Sequence, residues 1–347
     1  MTISSAFELS APISLALITT NRCNLRCKHC INSASQKSSD ELTTEQIIDY
    51  LNQSKMCGIA YIDFNGGEFF TRTDTDIILD HAIELERKII ITTNGTLITD
   101  AWIEKYAGKI HLIRISLDDY DEVKHDSFRG VKGAFSKTID VITKLKSSGY
   151  RITILSTITK SRIETFKKFV CFIKELGVDS LHTTLLFPAG RATNIPEETI
   201  NADDHRRFLE TFLEVSSELN KDGVFMLLDE SSQRCLLDSE KPIFNGVKCG
   251  AAFTEMAVSN HGFALPCAAF MGCEDMLRID ELDTRKYSLN EIYHNAKIMK
   301  QTRTLTSLKG RCKNCLYLRH CGGGCRAAAF IASGDIFEED PVCWYGT

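Results

Sequence analysis

The sequence lacks several features that would by themselves suggest a function class. No run of basic residues stands out against a net charge of −5, so an electrostatic surface for nucleic acid or anionic lipid is not expected. No stretch approaches the ~18 apolar residues of a membrane helix. The apolar run near the start, ISLALITT, has Glu8 and no Lys or Arg ahead of it, unlike the charged start of a secretory signal. Internal repeats beyond short βα units and low-complexity tracts are missing as well. These absences lead to an expected cytoplasmic address, with no nucleic-acid or membrane partner. Cysteine is abundant, with fourteen in 347 residues. In a reducing compartment such cysteines serve metal or catalysis more readily than disulfides.

Three of them, Cys23, Cys27 and Cys30, fall in the run TTNRCNLRCKHC directly after an apolar stretch. Soft thiolates suit iron, and three ligands leave one iron of a four-iron cluster without a protein ligand. With 43% hydrophobic residues the chain can bury one large core and a smaller second one.

From residue 13 to about 188, short β-branched runs alternate with longer amphipathic segments, the pattern of repeated βα units. The expected strands are ISLALITT, IAYIDFNG, KIIITTNG, IHLIRISLD, RITILSTI and LHTTLLFP. Helices are expected over 44–56, 75–86, 99–107, 135–148 and 163–176, with Thr43, Asp74 and Ser161 as caps. The fold class is thus α/β with a parallel sheet, rolled into a full or partial barrel or left open. Either way the loops after the strands, including Cys23–Cys30, Asn65–Glu68, Thr93–Thr96 and Ser116–Asp118, ring one mouth. Residues 203–220 then read as a helix and VFMLLDE as a strand. A boundary near 231–248 divides the chain into 1–230 and 231–347. Eight of the fourteen cysteines lie in the last hundred residues, where metal more than a core would hold the chain.

Taken singly, these motifs have plainer readings. A C-x3-C-x2-C triplet fits part of a zinc site, and Gly66-Gly67 fits a turn. Ser116 and Asp118 fit a helix cap, and Asn94, Ser156 and Arg191 fit satisfied structural polar groups. The later Cys312-x2-Cys315-x5-Cys321-x3-Cys325 fits a zinc ribbon. Cys171 and Cys57 fit buried structural positions.

Together, the triplet after the first strand, Gly66-Gly67-Glu68 after the second, IRISLDD at 113–119, HDSFRGVKGAF at 125–135 and PAGRA at 188–192 resemble the radical S-adenosylmethionine (radical SAM) enzymes. The resemblance implies a partial (β/α)6 TIM-like barrel with a four-iron cluster on Cys23, Cys27 and Cys30. It implies S-adenosylmethionine contacts from Gly66, Gly67, Glu68, Asn94, Ser116, Asp118, Ser156 and Arg191, with the Glu68 carboxylate meeting the methionine ammonium and the glycines admitting the cofactor. Phe69 stands where the family has proline, and His29, at the aromatic position before the third cysteine, shields the cluster.

The C-terminal cysteines are similar to the SPASM extension of these enzymes, a small cysteine-rich domain with two auxiliary four-iron clusters. By that likeness Cys312, Cys315, Cys321 and Cys343 hold one cluster and Cys249, Cys267 and Cys325 the other. Cys235 or Cys273 supplies the missing fourth ligand or donates a hydrogen atom. The cofactors implied are three 4Fe-4S clusters and S-adenosylmethionine, with a flavodoxin or ferredoxin as electron donor. The implied reaction is reductive cleavage to a 5′-deoxyadenosyl radical that abstracts hydrogen from a ribosomally made peptide, forming a cross-link or epimerising a residue. A sugar or aminocyclitol dehydrogenase or epimerase is the alternative, and a non-enzymatic zinc protein a remote one. Only twenty-two residues precede Cys23, so peptide recognition is expected from the barrel mouth, the C-terminal domain or a separate partner.

Overall fold

The computed structural model describes residues 9–36, 41–219, 224–228, 249–304 and 307–345. Its strands are β1 (Ser14–Ile18), β2 (Tyr61–Asn65), β3 (Lys88–Thr93), β4 (Leu112–Ser116), β5 (Ile152–Ile158), β6 (Ser180–Leu185), β7 (Phe225–Leu228), β8 (Glu255–Val258) and β9 (Ala264–Leu265). The helices are α1 (Thr44–Cys57), α2 (Thr75–Glu84), α3 (Asp100–Tyr106), α4 (Glu122–Arg129), α5 (Ala134–Ser147), α6 (Lys160–Ile163), α7 (Phe166–Glu175) and α8 (Ala202–Leu219). They are followed by α9 (Leu289–Asn295), α10 (Lys297–Thr304), α11 (Leu318–Cys321) and α12 (Arg326–Ser333).

All strands join one sheet in the order β7-β6-β5-β4-β3-β2-β1-β8-β9. Every pair is parallel except β8 with β9. The sheet ends at β7 and β9 without closing, so the barrel is partial. The six expected strands and the seventh at VFMLLDE are all present. A difference comes at β8, which pairs with β1 from Ser14↔Glu255 to Leu17↔Val258. Residues beyond the expected boundary thus extend the barrel sheet, while the boundary itself falls in residues 229–248, outside the described ones. Four residues, EMAV, are too few to carry a readable period.

Period-two alternation separates the faces. Leu15, Leu17, Ile62, Phe64, Ile89, Ile91, Ile113, Ile115, Ile152, Ile154 and Leu181 are buried beneath the helices. Burial of each contributes about 1.5–3 kcal/mol. The opposite, inner face carries Asp63, Thr92, Arg114, Ser116, Thr157, His182 and Thr184, with Arg114 on Asp63 at 2.7 Å and the Thr92 hydroxyl donating to Asp63 at 2.9 Å.

Thr43 begins α1 with a complete capping box. Asp74 precedes α2 but caps nothing, because its carboxylate takes Arg72 and Thr44 instead. Ser161 sits inside α6 and donates to Glu198 at 2.8 Å. Helix α4, EVKHDSFR, has too few apolar residues to give a stripe in the sequence. No described helix is long and apolar enough to cross a membrane.

Candidate active site

The loop from Thr20 to Ser35 carries Cys23, Cys27 and Cys30, and each cysteine sulfur accepts a hydrogen bond. Leu25 N donates to Cys23 at 3.4 Å, Ala34 N to Cys30 at 3.4 Å and the Arg129 guanidinium to Cys27 at 3.8 Å. Cys23 and Cys27 are buried, and Cys30 is half-buried. Burial pushes the Cys23 thiol up to about 12 and raises Cys27 too. Donors aimed at all three sulfurs suit thiolates that bind iron, and metal binding would release their protons.

The motifs that surround this loop brace its backbone. Gly67 N donates to Thr20 O and Glu68 N to Arg22 O, both at 2.7 Å. A Cβ on Gly67 would overlap the Arg22 carbonyl, and one on Gly66 the Thr20 carbonyl. The two glycines therefore admit the cysteine loop itself, where the resemblance had them admit the cofactor. Arg191 donates to Cys27 O at 2.7 Å and Ala34 O at 2.6 Å, and its N–H reaches Cys30 O at 3.0 Å. Gly190 likewise has Cys30 and Ile31 carbonyls where a Cβ would go. From α4, the carbonyls of Arg129 and Phe128 accept Arg26 N at 3.1 Å and Lys28 N at 2.9 Å.

Glu68, expected to meet the methionine ammonium, also braces the strand ends. It is buried and accepts from Phe70 N at 3.1 Å, the Thr93 hydroxyl at 2.8 Å and Asn94 N at 2.8 Å. These bonds tie the end of β2 to the end of β3, while burial raises its pKa. Asn94 is equally engaged. Its amide donates to Asn24 at 3.0 Å, and its oxygen takes Thr96 N and hydroxyl at 2.9 and 2.6 Å.

Asp118 is fully buried. Arg129 Nε donates to it at 2.6 Å and Thr157 N at 2.9 Å, with Arg162 3.6 Å away. Arg129 leads the neighbours that hold its carboxyl far below the usual range against the opposing effect of burial. It is thus an ion-pair centre under the loop. Ser116 does end β4 on the inner face, half-buried. Ser156 falls on the helix-facing side with Ile154 and Ile158 and is buried there, its hydroxyl lacking a partner. His29 stacks on Phe128 with ring centroids 4.1 Å apart and is half-buried beside the loop.

At the other end, burial, Glu255, Cys249 and Cys325 all raise the Cys267 thiol, which places four groups together. Glu255 carries no motif, and its register beside β1 could not be read from sequence. Burial pushes Cys312 up to about 11, with Cys343 and Cys321 adding to it. Cys315 joins them through its N–H to Cys312 O at 3.3 Å. Cys273 is buried in the hydrophobic core and donates to Phe270 O at 3.3 Å. Burial pushes its thiol up to about 12. The groups that raise the Cys267 thiol do not include Cys273, and Cys235 lies outside the described residues. Cys171 is exposed and Cys57 half-buried, where buried positions were expected. Among the described residues no three His, Cys, Asp or Glu side chains converge as on a single ion. Ligands of a four-iron cluster bind different irons and stand further apart.

Comparison with known proteins agrees with this geometry. Residues 17–176 match the Radical SAM superfamily. The chain is 29% identical to an AdoMet-dependent heme synthase of Methanosarcina barkeri, over 97% of each chain. It is 25% identical to the mycofactocin maturase MftC of Mycolicibacterium smegmatis, over 97% of this chain and 84% of that one. Its fold follows Streptococcus suis SuiB bound to precursor peptide SuiA with a TM-score of 0.78 at 22% identity, over 96% of this chain and 76% of SuiB. Residues 17–176 therefore form the radical SAM domain of an enzyme, and the fold of the chain follows SPASM-type enzymes beyond that domain.

Proposed function

We propose that this enzyme holds a four-iron cluster on Cys23, Cys27 and Cys30 and binds S-adenosylmethionine at the iron they leave open, and that it acts on a ribosomally made peptide. The observation that carries this reading is the buried loop on which three sulfurs each meet an N–H donor. When bound, the cluster and cofactor supply a 5′-deoxyadenosyl radical able to take hydrogen from an unactivated C–H bond.

The chain's own residues fix geometry. Gly66, Gly67, Gly190 and Arg191 lock the loop against the barrel, and the Glu68 and Asn94 side chains set the adjoining strand ends. Glu68 Oε2 carries one hydrogen bond, from Asn94 N, so its carboxylate keeps acceptor capacity for the methionine ammonium, and the Ser116 hydroxyl on the inner face would meet the cofactor as well. Positioning of this kind lowers the barrier by prior ordering.

Cys312, Cys315, Cys321 and Cys343 would hold one auxiliary cluster, in a unit beginning near residue 231. Cys249, Cys267 and Cys325 would hold the other, with Glu255 or Cys235 as its fourth ligand. A flavodoxin or ferredoxin would deliver the electron.

A peptide substrate is supported by the maturase name of MftC and the precursor peptide bound by SuiB. The heme synthase relatives, matched over nearly their whole length, favour a heme precursor as the second reading. Anaerobically reconstituted protein, dithionite and S-adenosylmethionine would be given a short peptide encoded beside the gene, or a heme precursor. Mass change of the peptide with 5′-deoxyadenosine formed supports the first reading. Turnover of the heme precursor alone replaces it with the second.

A further inference from the structure

The three sulfurs of the cysteine loop do not have like surroundings. Cys23 and Cys30 accept from backbone N–H groups, whereas Cys27 accepts from the charged guanidinium of Arg129 at 3.8 Å. Arg129 is the last residue of α4 and is itself buried. Its place is fixed twice over. The backbone carbonyl at this residue takes Arg26 N, and the side-chain Nε is gripped by Asp118 Oδ2 at 2.6 Å. Asp118 is in turn held by Thr157 N at 2.9 Å and faces Arg162 at 3.6 Å, which stacks on Phe128 at 3.9 Å. The contact with Cys27 is therefore built and does not come from a side chain that happens to reach the sulfur.

A fixed cation beside a cluster sulfur stabilises whichever state carries more negative charge, and burial strengthens the effect by removing water. Reduction adds one electron to the cluster, and hydrogen bonds to its sulfurs are among the determinants of its potential. We propose that Arg129 is a positioning residue that raises the reduction potential of the cluster at Cys23, Cys27 and Cys30 by donating to the Cys27 sulfur, and that Asp118 sets the size of that effect by balancing its charge. The inference rests on the reading that these three cysteines hold a cluster. Its consequence is that a one-electron donor protein reduces this cluster more easily than it would a cluster with neutral donors only.

The test is a redox titration of the full chain, anaerobically reconstituted and followed by electron paramagnetic resonance. The cluster concerned is identified as the one whose signal changes when S-adenosylmethionine is added. In Arg129→Met the midpoint of that signal moves to more negative potential while the other signals stay. Arg129→Lys gives a smaller shift in the same direction, and it decides the matter if the Met variant fails to load iron. Asp118→Asn leaves the guanidinium less balanced and moves the midpoint the opposite way. A residue that merely shapes the loop would not give opposite signs for the two partners. An unmoved midpoint in an arginine variant with full iron content overturns the proposal. So does loss of about four irons from both arginine variants, which would make the pair a structural support. If Cys27→Ala keeps all its iron and its response to S-adenosylmethionine, the ligand reading has failed and not the tuning.

Discussion

The two cysteine-rich ends of this chain are built on opposite plans. The N-terminal loop is held from outside, by backbone and side chains that follow four other strands: Gly67 and Glu68 after β2, Asn94 after β3, Arg129 after β4 and Arg191 after β6. The five cysteines from Cys312 onward are held chiefly by their own segment, with His205 of α8 meeting Val342 O at 3.1 Å beside Cys343. There the buried Arg326 bonds the carbonyls of Ile336, Glu338 and Gly323, Glu339 pairs with Arg311, and Asp340 caps Cys325 N at 2.6 Å. Cys249 is exposed, and Cys315, Cys325 and Cys343 are half-buried. A site braced by a packed barrel is shaped before its metal arrives, whereas a site braced by its own loops gains much of its order from the metal.

The sharpest way to break this contrast is Gly67→Ala. The added Cβ would overlap the Arg22 carbonyl, and overpacking there should cost about 3 kcal/mol. The loop must move, so the variant should lose about four irons and all 5′-deoxyadenosine formation while keeping its C-terminal iron. Equal loss at both ends would show that the two sites are coupled. The complement is Arg326→Met. It removes hydrogen bonds from a buried charged donor, about 1.5–3 kcal/mol, and should strip C-terminal iron while the N-terminal cluster still answers S-adenosylmethionine. Chelating all iron should extend the same asymmetry. Limited proteolysis of the apo-protein should then cut within 249–345 before 41–219, and cleavage in the barrel first would refute the contrast.

The sequence already showed the plan of the barrel, because inner and outer faces alternate with period two and the strands are rich in β-branched residues. It also showed the cysteines, whose spacing is local. It did not show what the motif residues touch. Glu68, Asp118 and Arg191 are cofactor contacts by family resemblance, and the sequence leaves open what else each one touches, because a polar residue at a strand end can face either the mouth or the neighbouring loop. Only the fold shows that Glu68 takes Thr93 and Asn94, Asp118 takes Arg129, and Arg191 takes Cys27 O. Strand β8 escaped for a different reason. Its pairing with β1 spans some 240 positions of chain, as Ser14↔Glu255 shows, and no local pattern encodes such a partner.

Smaller effects test the edges of the C-terminal set. Glu255→Ala should lower the iron content or alter one auxiliary signal if the carboxylate beside Cys267 is a ligand. An unchanged iron content and spectrum would leave Cys235 to fill that position. Cys171→Ser, on the solvent face of α7, should shift stability by no more than about 0.5 kcal/mol. Cys273 lies between these cases. Its sulfur sits in the core and donates to Phe270 O. Cys273→Ala should therefore leave iron and cofactor cleavage intact and cost about 1 kcal/mol of buried methylene-sized volume, read as a modest drop in the midpoint of thermal unfolding. If substrate turnover vanished while iron and cleavage persisted, the thiol would be a hydrogen donor after all, and the core packing around it would have to open during the reaction. Iron loss would instead require the short helical segment Ala268–Leu277, kinked at Cys273, to turn this sulfur toward Cys267, and the hydrogen bond to Phe270 would have to break.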